Sequence, residues 1–210
     1  FNRLMFGDHP IGWEMEERDL APERYSRGTL QEVHRRTYCR QHLLLGVVGD
    51  VEWGDVAPLL ERITAQWPPC PGPLPQPPTP QMRSEGGVFL IPRALTQSTV
   101  VMAQPGGIVQ GTDQEFFDSR IANSILGASG FTSRLFSRVR TEKGYAYSAS
   151  SLWTAPGRYE GIVGAVTQTK SESTVAAIQL ILETIEEMRR EPPTREEVQH
   201  AIDQIVNGFV

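Results

Sequence analysis

Hydrophobic and polar residues follow two different periods in the second half of the chain, and the period separates strands from helices. Residues 145–155 ("YAYSASSLWTA") alternate with a period of two, and the turn "PGR" leads into 159–167 ("YEGIVGAVT"), which predicts an antiparallel hairpin. Two runs bounded by Gly and Pro, 86–92 ("GGVFLIP") and 98–106 ("STVVMAQPG"), predict two more strands. Apolar residues spaced three or four apart over 171–191 predict a long amphipathic helix.

Helix start and stop signals add three more helices to this region. Asp113 is a predicted N-cap for a helix that Gly127 ends, and a second helix over 132–143 ends at Gly144. Thr194 and Glu197 have the spacing of a capping box, which predicts a last helix. The resulting order β-β-α-α-β-β-α-α predicts an α+β fold, an antiparallel-rich sheet with helices packed on it.

The first part of the chain has a simpler pattern. A helix over 29–39, a buried strand over 43–51 ("LLLGVVGDV") and an amphipathic helix over 53–67 are predicted, with no second strand to pair with the first. Eight of the fifteen residues 67–81 are proline, which favours an extended, semi-rigid linker between residues 1–66 and 82–210. A long surface loop within one domain is the alternative.

Composition narrows the class of function. The chain has 39% hydrophobic and 21% charged residues, as in ordinary globular proteins, and no apolar run reaches the roughly 20 residues needed for a membrane span. A formal net charge of −5 argues against nucleic-acid binding, because binding to phosphates needs a basic surface. No signal segment opens the chain at Phe1 and its last residues stop within a helical pattern, so we expect a piece of a longer polypeptide. Cytoplasmic and periplasmic locations both stay open.

Metal and nucleophile motifs are weak. The four histidines (His9, His34, His42 and His200) form no helical pair with zinc-ligand spacing. Cys39 and His42 supply half a site without a second pair, so the sequence predicts no metal site in the chain. A disulfide between Cys39 and Cys70 is compatible with the sequence but does not follow from it. Ser129 lacks the strand-to-helix elbow of a hydrolase nucleophile, so its glycine-rich segment, with Gly127 and Gly130, is interpreted as a hinge.

The stretch 133–148 ("SRLFSRVRTEKGYAYS") concentrates chemistry that a helix and a strand do not require. Arg134 and Arg138 share one helix face, whereas Arg140 points elsewhere near the helix end. The alternation of the following strand predicts that its two tyrosines, at 145 and 147, face the same side. Two interpretations stay open: a polar clamp for a ligand, or a solvated helix end beside a half-buried aromatic row.

Four segments resemble a known family in order and spacing. They are "QSTVV" from Gln97, "ANSILG" from Ala122, "TSRLFSRVRTEKGYAYS" from Thr132 and "PTREEV" from Pro193, and they resemble the second domain of pitrilysin/insulinase-type zinc peptidases, peptidase family M16. "FGDHPIG" and "LLLGVVGDV" resemble the later part of that family's zinc-bearing first domain.

The resemblance implies a fold and a partner. It implies a LuxS/MPP-like metallohydrolase fold, with residues 1–66 as the end of the zinc-bearing domain, 67–81 as the linker, and 82–210 as a non-zinc second domain lacking its last elements. The family's zinc is held by an inverted His-x-x-Glu-His motif that this chain lacks, so the resemblance implies zinc only in a parent metalloprotease and no proteolysis by this piece alone. We further expect residues 28–66 to cover the sheet edge of 82–210, or to exchange between two copies in a homodimer.

The resemblance also implies site residues. In the family an Arg seven residues before a Tyr contributes to the peptide-substrate site, and Arg140 and Tyr147 have that spacing. Gly127 and Gly130 match the family's Gly-rich turn, which implies flexibility for chamber closure. The implied function is peptide binding beside a zinc-bearing domain or subunit of the same family. The alternative is an inactive scaffold or regulatory subunit acting beside an active partner.

Overall fold

The computed structural model describes residues 1–208, which divide into two compact units. The sheet unit joins Phe1–Gly12 to the chain from Thr79 onward, and the small unit is Trp13–Pro78. These divisions differ from the predicted boundaries at 66/67 and 81/82. The assignment of the two parts to a zinc-bearing and a non-zinc domain stays a prediction.

The sheet unit contains a three-stranded antiparallel sheet in the order β1-β3-β2. Its strands are β1 (Gln97–Pro105), β2 (Ala146–Trp153) and β3 (Ile162–Lys170). The register runs from Gln97 opposite Lys170 to Pro105 opposite Ile162, and β2 and β3 form the predicted hairpin. The α+β fold class is therefore confirmed.

Two helices of the sheet unit, α4 and α6, begin at the capping residues that the sequence predicts. The α-helices of this unit are α1 (Asn2–Phe6), α4 (Gln114–Asn123), α5 (Thr174–Arg190) and α6 (Arg195–Asn207), while α2 (Arg27–Thr37) and α3 (Trp53–Thr64) belong to the small unit. Asp113 accepts a hydrogen bond from Phe116 N, and Thr194 and Glu197 form the predicted capping box. Gly144 has φ of 63°, a conformation that favours glycine, and it follows the C-cap Lys143 of the helical segment Phe136–Glu142.

A compact core joins α5 to the sheet. Its buried members are mostly small, and they are Leu135, Val139, Ala146, Ala149, Ala165, Ala177, Leu180 and Ile181. Alanines at facing positions let helix and sheet approach closely, and the branched residues fill the remaining volume. This core holds the 136–142 segment and the start of β2 in fixed positions. Arg140 and Tyr147 lie on these two elements.

Two predicted strands are absent from the sheet. Residues 86–92 and 43–48 take no strand conformation, and the exposed fractions of Val88 and Val48 are 98% and 102%. The expectation that 43–51 forms a buried strand is thus wrong. β-propensity alone does not build a strand, because the backbone needs a partner for its hydrogen bonds. Coverage of the sheet edge by residues 28–66, within one chain or by exchange between two copies, stays a prediction.

The small unit consists of α2 (Arg27–Thr37), α3 (Trp53–Thr64) and the segments around them. Cys39 and Cys70 form a disulfide across a sequence separation of 31 residues. The proline-rich segment is therefore bound to residue 39, and its part up to Pro78 belongs to the small unit. No helix in the described part of the chain combines the length and apolar character that a membrane span requires.

Gly127 has a packing role that the pattern did not show. It lies buried in a single π-helical turn, Ser124–Ala128, that extends α4, so it is not the predicted residue beyond a helix end. A Cβ built on it would lie 2.1 Å from Ser151 N and 2.9 Å from Ser150 C, both backbone atoms of β2. Glycine here lets the turn that extends α4 contact β2. The predicted hinge role of Gly127 stays a prediction.

Gly127→Ala is expected to destabilise the sheet unit by about 1 to 3 kcal/mol, because helix and strand must move apart to admit the methyl group. Gly86→Ala is the matched control, since its added Cβ meets nothing within 4 Å. Urea unfolding of both variants measures the difference. Equal midpoints for the two variants would show that the contact with β2 yields easily, and would leave a hinge as the reason for the glycine.

Candidate functional site

The three arginines of the segment 133–148 have different surroundings, and this difference defines the candidate site. Two of them are paired with carboxylates of neighbouring helices. Arg134 donates through Nε and Nη2 to the two carboxylate oxygens of Glu197 on α6, at 2.7 and 2.8 Å. Arg138 donates to Glu187 and to Thr184 on α5. Arg138 therefore holds α5 to the π-helical segment Phe136–Glu142, and Arg134 holds α6 to the residues just before that segment.

The Arg134–Glu197 pair shifts a titration. The hydrogen bonds from Arg134, with a further one from the Thr194 backbone N–H, lower the pKa of Glu197 from 4.5 to about 2. Because the folded-state pKa is depressed, the pair contributes its full stability above about pH 4.5 and loses it as the pH falls toward 2.

Glu197→Gln is expected to cost about 1 to 2 kcal/mol at pH 7, less than a fully buried pair because both side chains keep some exposure. The variant is also expected to lose less stability than the unchanged chain between pH 5 and pH 2, a window set by the depressed pKa of Glu197. Chemical denaturation at several pH values measures both, with the exposed neighbour Glu196→Gln as control. Identical pH profiles for the Glu197 and Glu196 variants would contradict the pairing.

Arg140 is surrounded by aromatic rings. Its guanidinium carbon lies 4.7 Å from the ring centroid of Phe136, 5.0 Å from that of Tyr147 and 5.7 Å from that of Phe131. We call these three rings the aromatic cradle. No carboxylate within residues 1–208 lies at salt-bridge distance from Arg140, in contrast to Arg134 and Arg138.

Contact with aromatic rings holds the guanidinium without pairing it with a carboxylate. The five N–H donors of an arginine lie in the guanidinium plane, so a ring above or below that plane takes none of them. Each cation–π contact contributes on the order of 0.5 to 1 kcal/mol where the group is exposed. The cradle therefore positions a cation without neutralising it, which is what binding of a polar ligand requires.

A β-bulge sets the direction of Tyr147. Ala146 pairs with Thr169 and Ser148 pairs with Gln168, so Tyr147 is the extra residue of β2 opposite this step. Tyr147 is 72% exposed, whereas Tyr145 packs against the core. The two tyrosines thus have different surroundings, and Tyr145 lies before β2, so the strand alternation from which a common side was predicted does not reach it.

Two threonines that the sequence pattern did not single out hold this bulge. Thr167 Oγ1 donates to the carbonyl of Ser148 at 2.7 Å, and Thr169 Oγ1 donates to the carbonyl of Tyr145 at 2.5 Å. Both threonines are buried in β3. Their polar side chains at buried strand positions are the signal that could have identified them, since such hydroxyls need partners.

Gly130 precedes Phe131, the third ring of the aromatic cradle. Its φ of 66° is in the region that favours glycine, and the following short 3₁₀ turn, Gly130–Thr132, contains Phe131. Phe131 contacts Phe136 edge-on, with 4.7 Å between ring centroids.

The structure brings some of the predicted site residues together. Arg140 and Tyr147 lie side by side, and Gly130 adjoins the cradle through Phe131. Gly127 instead lies against β2.

Comparison with known proteins agrees with this architecture. The family described as the peptidase M16 inactive domain matches residues 24–205. The chain is similar to an uncharacterized zinc protease of Streptomyces coelicolor: the two are 24% identical, and the match covers all of this chain and 46% of that protein. It is also similar to an uncharacterized zinc protease of Mycobacterium bovis, with 28% identity over 72% of this chain and 34% of that protein. The chain thus spans less than half the length of these relatives.

A solved structure has the same fold. The peptidase M16 inactive domain from Pseudomonas fluorescens superposes with a TM-score of 0.78 at 23% sequence identity, covering 99% of this chain and 49% of that one. At this identity the likeness shows the fold alone. With the family match over most of the chain, the conclusion is that this chain belongs to the peptidase M16 inactive-domain family.

Proposed function

We propose that the sheet unit is the peptide-binding, non-catalytic domain of an M16-type zinc peptidase and forms half of its closed chamber. One observation supports this most strongly. Arg140 is held beside the exposed Tyr147, and its N–H donors are paired with no carboxylate within residues 1–208. A guanidinium in that state is suited to bind acceptor groups of a ligand.

An extended peptide supplies such acceptors. Successive residues of an extended chain are about 3.3 Å apart and each has a carbonyl oxygen that accepts hydrogen bonds. In this proposal Arg140 donates through its guanidinium and Tyr147 through its hydroxyl to carbonyl groups of the substrate. Donors fixed in advance also stabilise negative charge that develops on a carbonyl oxygen during hydrolysis.

The residues of this chain do not fit the zinc of the parent enzyme. Within the described residues, the only close group of three His, Cys, Asp or Glu side chains is Cys39, His42 and Cys70, and its two cysteines are disulfide-bonded. This is not the two-His, one-Glu set of the family's active site. We therefore assign the catalytic zinc to a domain or subunit outside this chain, and assign only substrate binding to Arg140 and Tyr147.

A photo-cross-linking side chain at position 147 tests peptide binding directly. In the full-length protein, benzoylphenylalanine in place of Tyr147 is expected to label an unstructured peptide on irradiation, and excess unlabelled peptide should compete. The same replacement of Phe117, an exposed ring on α4, is the control. Labelling that is no stronger at position 147 than at position 117 would remove Tyr147 from the peptide site.

The second candidate function is an inactive scaffold or regulatory subunit, which the missing zinc ligands in this chain also permit. Metal analysis of the full-length protein distinguishes the two. One equivalent of zinc together with peptide cleavage indicates a peptidase. Cross-linking at position 147 without zinc or cleavage indicates a peptide-binding subunit that acts beside an active partner.

A further inference from the structure

We propose that the Cys39–Cys70 disulfide, once reduced, forms with His42 a binding site for a thiophilic divalent cation such as Zn²⁺. This site lies in the small unit and is independent of the peptide-binding function. The sequence supplies Cys39 and His42 as half a site, and the fold adds Cys70 from the proline-rich segment.

The three ligand atoms lie close enough together to share one zinc ion once the disulfide is reduced. The two sulfurs and a ring nitrogen of His42 all lie within 4.8 Å of one another. With Zn–S near 2.3 Å and Zn–N near 2.0 Å, tetrahedral geometry places ligand atoms on the order of 3.5 to 3.8 Å apart. Reduction lets the two sulfurs separate to this spacing by small side-chain rotations. Three protein ligands leave the fourth position for water.

The orientation of His42 presents the correct atom. Its Nε2 lies 3.1 Å from the carbonyl oxygen of Gly72, which can only accept, so Nε2 carries the proton. In the neutral ring Nδ1 then has a free lone pair, and it lies 3.1 Å from Cys39 Sγ. A ligating imidazole whose other nitrogen donates to a carbonyl is the usual arrangement around protein-bound zinc.

Contacts other than the disulfide hold the two segments together. Arg40 N donates to the carbonyl of Pro68 at 3.4 Å, and Cys70 N donates to Gln41 Oε1 at 2.8 Å. With the His42–Gly72 hydrogen bond, these contacts keep residues 39–42 beside residues 68–72 when the sulfurs are no longer bonded. The metal site is therefore largely pre-formed in the reduced chain.

The conversion balances as a two-electron reduction followed by metal binding. A phosphine reductant takes one oxygen atom from water and becomes its oxide, while each sulfur gains one electron and one proton. The metal then replaces the two thiol protons, which pass to solvent, and binds two thiolates and neutral His42. A two-electron oxidant such as hydrogen peroxide, which takes up two protons and becomes two water molecules, restores the disulfide from the two thiolates and releases the cation, so binding depends on redox state.

Cobalt titration of the 210-residue chain tests the site, because tetrahedral Co²⁺ bound to thiolates gives intense charge-transfer and visible bands. The phosphine-reduced chain is expected to develop these bands with one equivalent of Co²⁺, and added Zn²⁺ should remove them. The oxidised chain should show none. Absence of the bands in the reduced chain would overturn the proposal without any variant.

Variants distinguish the metal ligands from residues outside the site. Cys70→Ser should abolish the charge-transfer band, and His42→Ala should weaken Co²⁺ binding by more than about tenfold, since loss of a supporting outer-shell group alone costs 10 to 100-fold. His34→Ala, a histidine of α2 outside the cluster, is the control and should bind like the unchanged chain. Equal affinity of the His42 and His34 variants would exclude His42 as a ligand.

Discussion

Replacing Arg140 by alanine in the full-length protein is expected to lower kcat/KM for an unstructured peptide by about 10²- to 10³-fold, the usual effect of losing a donor to a reacting carbonyl. The loss should be specific to this arginine. Arg134 and Arg138 bind carboxylates of α6 and α5, so their alanine variants should reduce stability more than turnover. Steady-state kinetics on a fluorogenic peptide measure the effect.

Two further variants make the result specific. Arg140→Lys keeps the charge but loses the planar set of donors, so it should recover only part of the rate. Arg189→Ala is the matched control, because the Arg189 side chain is 76% exposed and pairs with the exposed Glu186. Full activity of Arg140→Ala would remove the residue from the site, and equal losses in the Arg140 and Arg189 variants would indicate a general effect of charge.

Reduction of the Cys39–Cys70 disulfide, with metal excluded by a chelator, is expected to destabilise the small unit by about 3 to 4 kcal/mol. Closing a loop of this length restricts the unfolded chain by that amount in the chain-entropy account. Burial of apolar side chains adds little to the stability of the small unit. Cys39 is its only buried hydrophobic residue among the described positions 13–78.

Tryptophan fluorescence isolates this effect. Trp13, Trp53 and Trp67 lie in the small unit, so a Trp153→Phe background leaves only reporters of that unit. Urea unfolding should shift to lower concentration on reduction, and the double variant Cys39→Ala/Cys70→Ala should behave as the reduced chain and ignore reductant. An unchanged midpoint in the reduced chain would show that the disulfide does not hold this unit together.

Local signals were sufficient for most of the sheet unit. The strands from 97, 146 and 162 and the helices α4, α5 and α6 follow from period and capping, because each of these elements has its partner nearby in sequence or a strong apolar face. The runs 43–51 and 86–92 have equally strong β composition. They failed as predictions because strand formation depends on a partner that sequence period does not reveal.

The sequence predicted which residues form the candidate site, but not the contacts that hold them in place. Spacing and resemblance brought Arg140 and Tyr147 together, and the structure places them 5.0 Å apart from guanidinium carbon to ring centroid. The bulge at Tyr147, its threonine supports and the cradle ring of Phe131 depend on register and on contacts across the fold. The proximity of Cys70 to His42 is likewise a long-range feature, which no spacing rule supplied.

The most direct measurement is a crystal structure of the full-length protein with a peptide bound. The account predicts that a guanidinium nitrogen of Arg140 and the hydroxyl of Tyr147 each lie about 2.7 to 3.2 Å from carbonyl oxygens of the peptide. A peptide bound at another surface would contradict this prediction. So would a structure in which Arg140 pairs with a carboxylate of another domain and makes no contact with the bound peptide.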